Sequence, residues 1–205
     1  MIDKHPAVIA RCGGVSDVMD AIAFGREQQL PIAIRGGGHH IAGNAICEAG
    51  IVVDCSQMRS VVVDPVARTA RVEAGALLAD VDHETQAFGL ATPTGINSTT
   101  GIAGLTLGGG GGWLSRKYGM TVDNLRSVDL VTADSKLLHA SEDVNPDLFW
   151  AVRGGSGNFG VVTIFEFDLH PVGPQVLCGP IVHAHEDARE ALQFVREFNQ
   201  ESPED

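Results

Sequence analysis

Thr92-Pro93-Thr94-Gly95-Ile96-Asn97-Ser98-Thr99-Thr100-Gly101-Ile102-Ala103-Gly104, closely followed by the run Gly108 to Gly112, is the stretch that decides the reading of this chain. It interleaves small hydroxyl side chains with glycines. Glycine lets the backbone take positive φ and lets a ligand approach the main chain closely. Hydroxyls and backbone amides together can hold a pyrophosphate and the polar edge of a ring. A five-glycine run can be a flexible linker in other settings. Here Leu105 and Leu107 precede it and Trp113 and Leu114 follow it, which predicts that it is packed.

Two more glycine clusters lie on either side. Arg35-Gly36-Gly37-Gly38-His39-His40 follows an apolar strand, and Gly154-Gly155-Ser156-Gly157-Asn158-Phe159-Gly160 precedes one. The first can form an anion-binding nest of backbone N–H groups. It is not a Walker loop, because no Gly-Lys-Ser/Thr follows. Nor is it the dinucleotide fingerprint, because no G-x-G-x-x-G opens a long helix. Taken alone it could be only a tight turn. Three such clusters beside regular elements point to a large, extended, phosphate-bearing ligand.

Around these clusters the periodicity gives an ordered set of elements. Ala7 to Ala10 reads as a strand, and Ser16 as the cap of a helix to about Gln29 with Val15, Val18, Met19, Ile22 and Ala23 at helical spacing. Ile32 to Ile34 and Ile51 to Asp54 are strands, making a β-α-β-β unit with the first glycine loop between its last two strands. Val61 to Asp64 and Thr69 to Val72 form a hairpin, and Leu77 to Phe88 a helix ending at Gly89. The central glycine segment holds at most short helical pieces. Leu125 to Thr132 and Lys136 to Ala140 form a second hairpin, Asp147 to Val152 a short helix, and Val161 to Leu169 a long strand. Val176 to Ala184 reads as a strand and Glu186 to Asn199 as a helix, with a frayed tail from Glu201 to Asp205. The best boundary is Pro171-Val172-Gly173-Pro174. One βα unit beyond it has too little core to stand alone.

The 205 residues carry a formal net charge of −12 and are 44% hydrophobic. That suits one good-sized domain, or one domain and part of another. An acidic surface argues against nucleic acid as a partner. No apolar run is long enough to span a membrane, and Met1 to Pro6 is too polar for a secretory signal. An anionic cofactor would have to be held by local backbone N–H groups. Cys12, Cys47, Cys55 and Cys178 form no C-x-x-C pair, and read as small buried hydrophobes in a cytoplasmic protein. His39 and His40 lack neighbours at ligand spacing. His183 and His185 share a predicted strand face without a third ligand, so no metal site is expected.

In this order, several motifs resemble one family. They are Arg35-Gly36-Gly37-Gly38-His39, Gly101-x-x-Gly104 with Gly108-Gly109-Gly110-x-Gly112, and Arg116-Lys117-Tyr118-Gly119-Met120-Thr121-Val122-Asp123-Asn124. Phe149-Trp150-Ala151-Val152-Arg153-Gly154-Gly155 and Gly157-Asn158-Phe159-Gly160-Val161-Val162-Thr163 complete the set. Together, over residues 5–172, the chain resembles the berberine bridge enzyme-like branch of the FAD-dependent vanillyl-alcohol oxidase superfamily. The resemblance implies an α+β, PCMH-type FAD-binding fold of two α+β subdomains, a small β-α-β unit over about 1–55 and a mixed or antiparallel sheet flanked by helices over 56–172. Residues 173–205 would begin a truncated substrate-binding domain.

The resemblance also implies roles. The first glycine loop would cradle the pyrophosphate of FAD, and His39 would bond covalently to a methyl carbon of the flavin, with His40 its neighbour. Doubly linked relatives carry a cysteine where alignment on Pro93, Gly95, Gly101 and Gly104 puts Asn97. A carboxamide forms no thioether, so a single histidyl link is expected. Cofactor-binding positions carried over are Gly36, Gly37, Gly38, His39, His40, Gly43, Pro93, Thr94, Gly95, Asn97, Ser98, Gly101, Ile102, Gly104, Tyr118, Asn124, Gly160 and Val162. The implied chemistry is oxidation of an alcohol, sugar or related small molecule by hydride transfer to flavin, with dioxygen as acceptor. No catalytic base is nominated, because the family's base comes mostly from the second domain. Three other readings compete: an NADPH-dependent flavin reductase of the same fold, a flavin-binding module without turnover, and a nucleotide-binding protein unrelated to flavin. Self-association through the C-terminal βα unit is a further expectation.

Overall fold

The computed structural model describes residues 2–177 and 179–202. Two sheets organise them. The first is parallel, with strand order β1-β3-β2, built from β1 (Val8–Arg11), β2 (Ile32–Arg35) and β3 (Ile51–Asp54). Val8 pairs with Ile51, and Ile32 with the same residue from the other side. All four residues of β3 are buried, as befits a central strand whose neighbours on both sides are parallel. Helix α1 (Val15–Glu27) links β1 to β2 and packs on β3, burying Val18, Ala21, Ile22 and Gly25 on one face.

The second sheet is antiparallel, with order β4-β5-β9-β7-β8: β4 (Val61–Asp64), β5 (Thr69–Glu73), β7 (Leu125–Val131), β8 (Leu137–Ser141) and β9 (Val161–Asp168). Both expected hairpins are present, and β9 joins them by pairing with β5 on one side and β7 on the other. Its central place explains its sequence: Val161, Val162, Thr163, Phe165 and Phe167 are all buried. Helices α2 (Leu78–Gln86) and α5 (Pro146–Val152) pack beside β4 and β8 respectively. The glycine segment contains only α3 (Ile102–Leu107), α4 (Ser115–Tyr118) and a 3-10 turn, Thr121–Asn124. One hydrophobic cluster runs under both sheets, from Cys12, Val18 and Val53 to Leu130, Phe165 and Phe167. The architecture is α+β, a small parallel sheet and a larger antiparallel sheet flanked by helices, as expected.

Five expectations need correction. Ser16 does not cap α1. It lies inside the helix, and the Asp17 carboxylate instead accepts from the Gly13 N–H at 2.8 Å. Residues 176–184 form no strand over their described part, because Gly179 and Pro180 interrupt the run and no strand lies alongside to accept its hydrogen bonds. His183 and His185 therefore share no strand face; His185 opens a 3-10 turn, His185–Asp187. Trp113 is 81% exposed and does not pack over the glycine run, whereas Leu107 is buried. Cys47 is only half-buried, while Cys12 and Cys55 are fully buried as expected. Cys178 and residues 203–205 of the expected frayed tail lie outside the described residues. The last helix, α6 (Ala188–Glu201), buries none of its side chains.

A small two-stranded sheet escaped the pattern reading. Here β6 (Leu90–Ala91) pairs with β10 (His170–Pro171). Two residues are too few to show a period of two.

Candidate functional site

The first two glycine clusters meet backbone to backbone. A methyl group added at Gly37 would overlap the main chain of Gly101, and one at Gly101 would overlap that of Gly37. Only glycine on both sides permits this approach. The contact is held from below. The Gly101–Leu77 bridge and the hydrogen bonds Ile102 N–H to Ala76 O and Leu78 N–H to Thr100 O tie the segment to the start of α2. The Arg35 guanidinium, 3.5 Å from the buried Asp54 carboxylate, secures the foot of the first loop.

Above this contact lies a cavity of about 720 Å³. It falls in the range of ~300–1,000 Å³ usual for small-molecule and cofactor sites. Its wall brings together β2, the loop Gly36 to His40, Gly101 and Gly104, and the chain leading into β9 with Gly160 and Val162. Nine of the carried-over positions thus line one cavity: Gly36, Gly37, Gly38, His39, His40, Gly101, Gly104, Gly160 and Val162. Among the described residues, no carbonyl or side chain accepts from the N–H groups of Gly37 to His40. A cavity-lining loop whose backbone N–H groups have no acceptor among the described residues suits a phosphate-bearing ligand.

The remaining carried-over positions stand off the wall. Gly43 closes a turn, donating to His40 O at 2.9 Å. Thr94 abuts Gly112, and Gly95 packs beneath Leu78 and Leu105; Pro93 precedes them. Asn97 accepts from Thr99, Ser98 O accepts from the Ala79 N–H, and Ile102 is fully buried in the core. Tyr118 stacks on His170 with ring centroids 4.0 Å apart. Asn124 donates to Tyr118 O and Met120 O and lies 2.6 Å from His170 Nε2, so Tyr118 and Asn124 pin the end of the glycine segment to β10.

Sequence reasoning missed Asn44, Ala45, Thr100, Ala103 and Ser156 as wall residues. Ser156 and Asn158 sit within the third glycine cluster, so that cluster was the available signal. Asn44 and Ala45 carry none, being ordinary residues in a long loop. Cys55 also borders the cavity. Burial, and then the nearby Cys12 and Asp54, push its thiol up to about 12, so it stays uncharged beside an anionic ligand. Among the described residues, no three His, Cys, Asp or Glu side chains gather to hold a metal ion. No described helix is long and apolar enough to cross a membrane.

The residues fit a dinucleotide cofactor. Gly104 lines the cavity, and a Cβ built there would meet nothing within 4 Å. The space it would enter is free for a ligand. The family model of the FAD binding domain matches residues 6–141.

The chain belongs to the FAD-binding domain family.

FAD is thus the cofactor for which this domain is built. An FAD-linked oxidoreductase of Dictyostelium discoideum is 40% identical over 193 residues, which are 94% of this chain and 42% of that protein. The structure of 6-hydroxy-D-nicotine oxidase from Arthrobacter nicotinovorans superposes with a TM-score of 0.81 at 40% identity, covering 82% of this chain and 37% of that one. Glucooligosaccharide oxidase from Acremonium strictum, described with a 6-S-cysteinyl, 8α-N1-histidyl FAD, gives 0.78 at 32% identity over 82% of this chain and 36% of its own. The chain spans about two fifths of the length of these relatives.

Proposed function

We propose that this chain is the FAD-binding domain of an oxidoreductase that oxidises an alcohol, sugar or related small molecule, with the flavin bound covalently to His39 and dioxygen as the acceptor. The carrying observation is the cavity on which the Gly36 to His40 loop, Gly101, Gly104 and the Gly160 to Val162 segment converge. Bound FAD would supply the two-electron acceptor for hydride removal from substrate. The backbone N–H groups of the Gly37 to His40 loop would hold its pyrophosphate. His39 lines the same cavity, which supports reading it as the anchor. Asn97 stands where the alignment puts the second anchor of doubly linked relatives, so one link is proposed. The relatives act on small molecules by their names, among them a hydroxynicotine and a glucooligosaccharide. We read residues 1–55 and 56–172 as the two subdomains that enclose the cofactor, and 173–205 as leading into a substrate domain. The unpaired Cys12, Cys47 and Cys55 suit a reducing, cytoplasmic setting.

The test is flavin fluorescence on the protein band of a denaturing gel, with His39→Ala alongside. Fluorescence in the parent chain and none in the variant is expected. A band equally bright in the variant would move the anchor elsewhere. A yellow native protein with a dark band would reduce the reading to FAD held without a bond.

A further inference from the structure

The imidazole of His39 is part of a directed hydrogen-bond chain that ends at Asn97. The Thr99 backbone N–H lies 3.1 Å from Asn97 Oδ1, and the Thr99 hydroxyl lies 2.8 Å from the same atom. A backbone N–H can only donate, so that side-chain atom is the amide oxygen, an acceptor. The Thr99 hydroxyl must then donate to it. A threonine hydroxyl has one proton, and that proton is used. Toward His39 Nε2, at 3.3 Å, the same oxygen can only accept. His39 Nε2 therefore carries the hydrogen, and Nδ1 keeps the lone pair. Which ring nitrogen is protonated is set by the hydrogen bond made at the other.

We propose that Thr99 and Asn97 are positioning residues for flavin attachment: they hold His39 in the Nε2–H tautomer so that Nδ1 is the attacking atom. The proposal rests on the reading of His39 as the anchor. In the overall reaction Nδ1 bonds to the methyl carbon, that carbon loses one hydrogen and the imidazole loses its Nε2 proton. The two electrons pass to dioxygen, which takes up both protons and leaves as hydrogen peroxide. Asn97 thereby has a function of its own at a position where doubly linked relatives carry a nucleophile: it takes the Thr99 proton and so keeps that hydroxyl from donating to His39.

Two readouts on the whole chain, prepared free of flavin, test this. Long-range ¹⁵N–¹H correlation of the histidine ring reports the tautomer directly. His39 should be the Nε2–H form in the parent and in Thr99→Ser, a mixture in Thr99→Val, and shifted toward Nδ1–H in Asn97→Ala, where the freed hydroxyl can donate. On addition of FAD, the rate at which the denatured band becomes fluorescent should fall at least about tenfold in Thr99→Val and recover in Thr99→Ser, since a wrong tautomer removes the reactive lone pair. Reversible FAD binding, followed by quenching of flavin fluorescence, should be unchanged in both. His39 protonated at Nδ1 in the parent chain overturns the proposal, as does parental attachment by Thr99→Val. If no variant, the parent included, becomes fluorescent, the anchor reading fails; the ring spectrum still decides the tautomer.

Discussion

Gly101 and Gly104 are three residues apart and should fail in opposite ways when enlarged. At Gly101 a new Cβ strikes the backbone of Gly37. Gly101→Ala should lower unfolding free energy by about 1–3 kcal/mol, the usual penalty of overpacking a rigid site, and a urea titration would show it. At Gly104 the new side chain meets only open cavity. Gly104→Val should keep the urea midpoint and lose FAD binding. The cysteines allow a second prediction at this scale. Burial, then nearby Asp17 and Asp54, raises Cys12 to about 11, and burial raises Cys55 to about 12. At pH 8 neither offers appreciable thiolate, the nucleophilic form. Iodoacetamide should spare both in the native protein and modify them after denaturation. Mass mapping of alkylated peptides would check this, and rapid native labelling of Cys55 would contradict the burial. At this scale the sequence disclosed residue types better than residue contacts. His39 and the glycines of the first loop were legible from their motif. Tyr118 and Asn124 were also named, but they clamp His170 rather than line the cavity, because a motif fixes order along the chain and says nothing about which neighbour a side chain meets.

Among the elements, the most legible were those whose periodicity is enforced on both faces or by a turn. β3 is an apolar run closed by Asp54, and β9 opens on Val161-Val162 and then alternates through Phe165 and Phe167; each is central in its sheet, and the sequence pattern marks both at nearly their observed bounds. The supposed strand at 176–184 shows the limit. Alternating apolar residues specify a strand only where a neighbour pairs with it. β6 and β10 show the converse, since pairing made strands of segments too short to signal. That small sheet carries a prediction about pH. His170 in β10 stacks on Tyr118 and bonds Asn124, and burial lowers its pKa below the ordinary imidazole value, with Asp168 opposing. The folded chain therefore binds this proton less readily than the unfolded chain. Its contribution to stability is complete above the unfolded value of about 6.5 and is lost as pH falls through that value toward the lower folded one. Melting temperature should drop between pH 7.5 and 5, and less steeply in His170→Gln. Parallel slopes for the two proteins would remove His170 as the cause.

Taken whole, the described residues bury a continuous core and leave an apolar stripe of α6 uncovered. Leu192, Val195 and Phe198 lie at helical spacing on α6 and are 70%, 48% and 58% exposed. Val176, Leu177, Ile181 and Val182 are exposed nearby in sequence. Apolar surface of this kind is normally covered. The isolated chain should self-associate at micromolar concentration, and Leu192→Glu with Phe198→Glu should return it toward monomer. Light scattering on a sizing column would check both, and a parent chain that stays monomeric throughout would count against the idea. The overall architecture was legible because several weak motifs occur in one fixed order. The cavity was not, because its wall is assembled from segments distant in sequence.

The meeting of Gly37 with Gly101 has a consequence in time. Each loop is fastened to a different sheet, so the contact closes only when both sheets have formed and docked. Contacts between distant segments come late in folding, after the entropy of closing long loops has been overcome. The floor of the cavity is then among the last features to be completed, and a half-folded chain has no place to keep a flavin. An irreversibly yellow molecule would carry a permanent receipt that its own folding had finished.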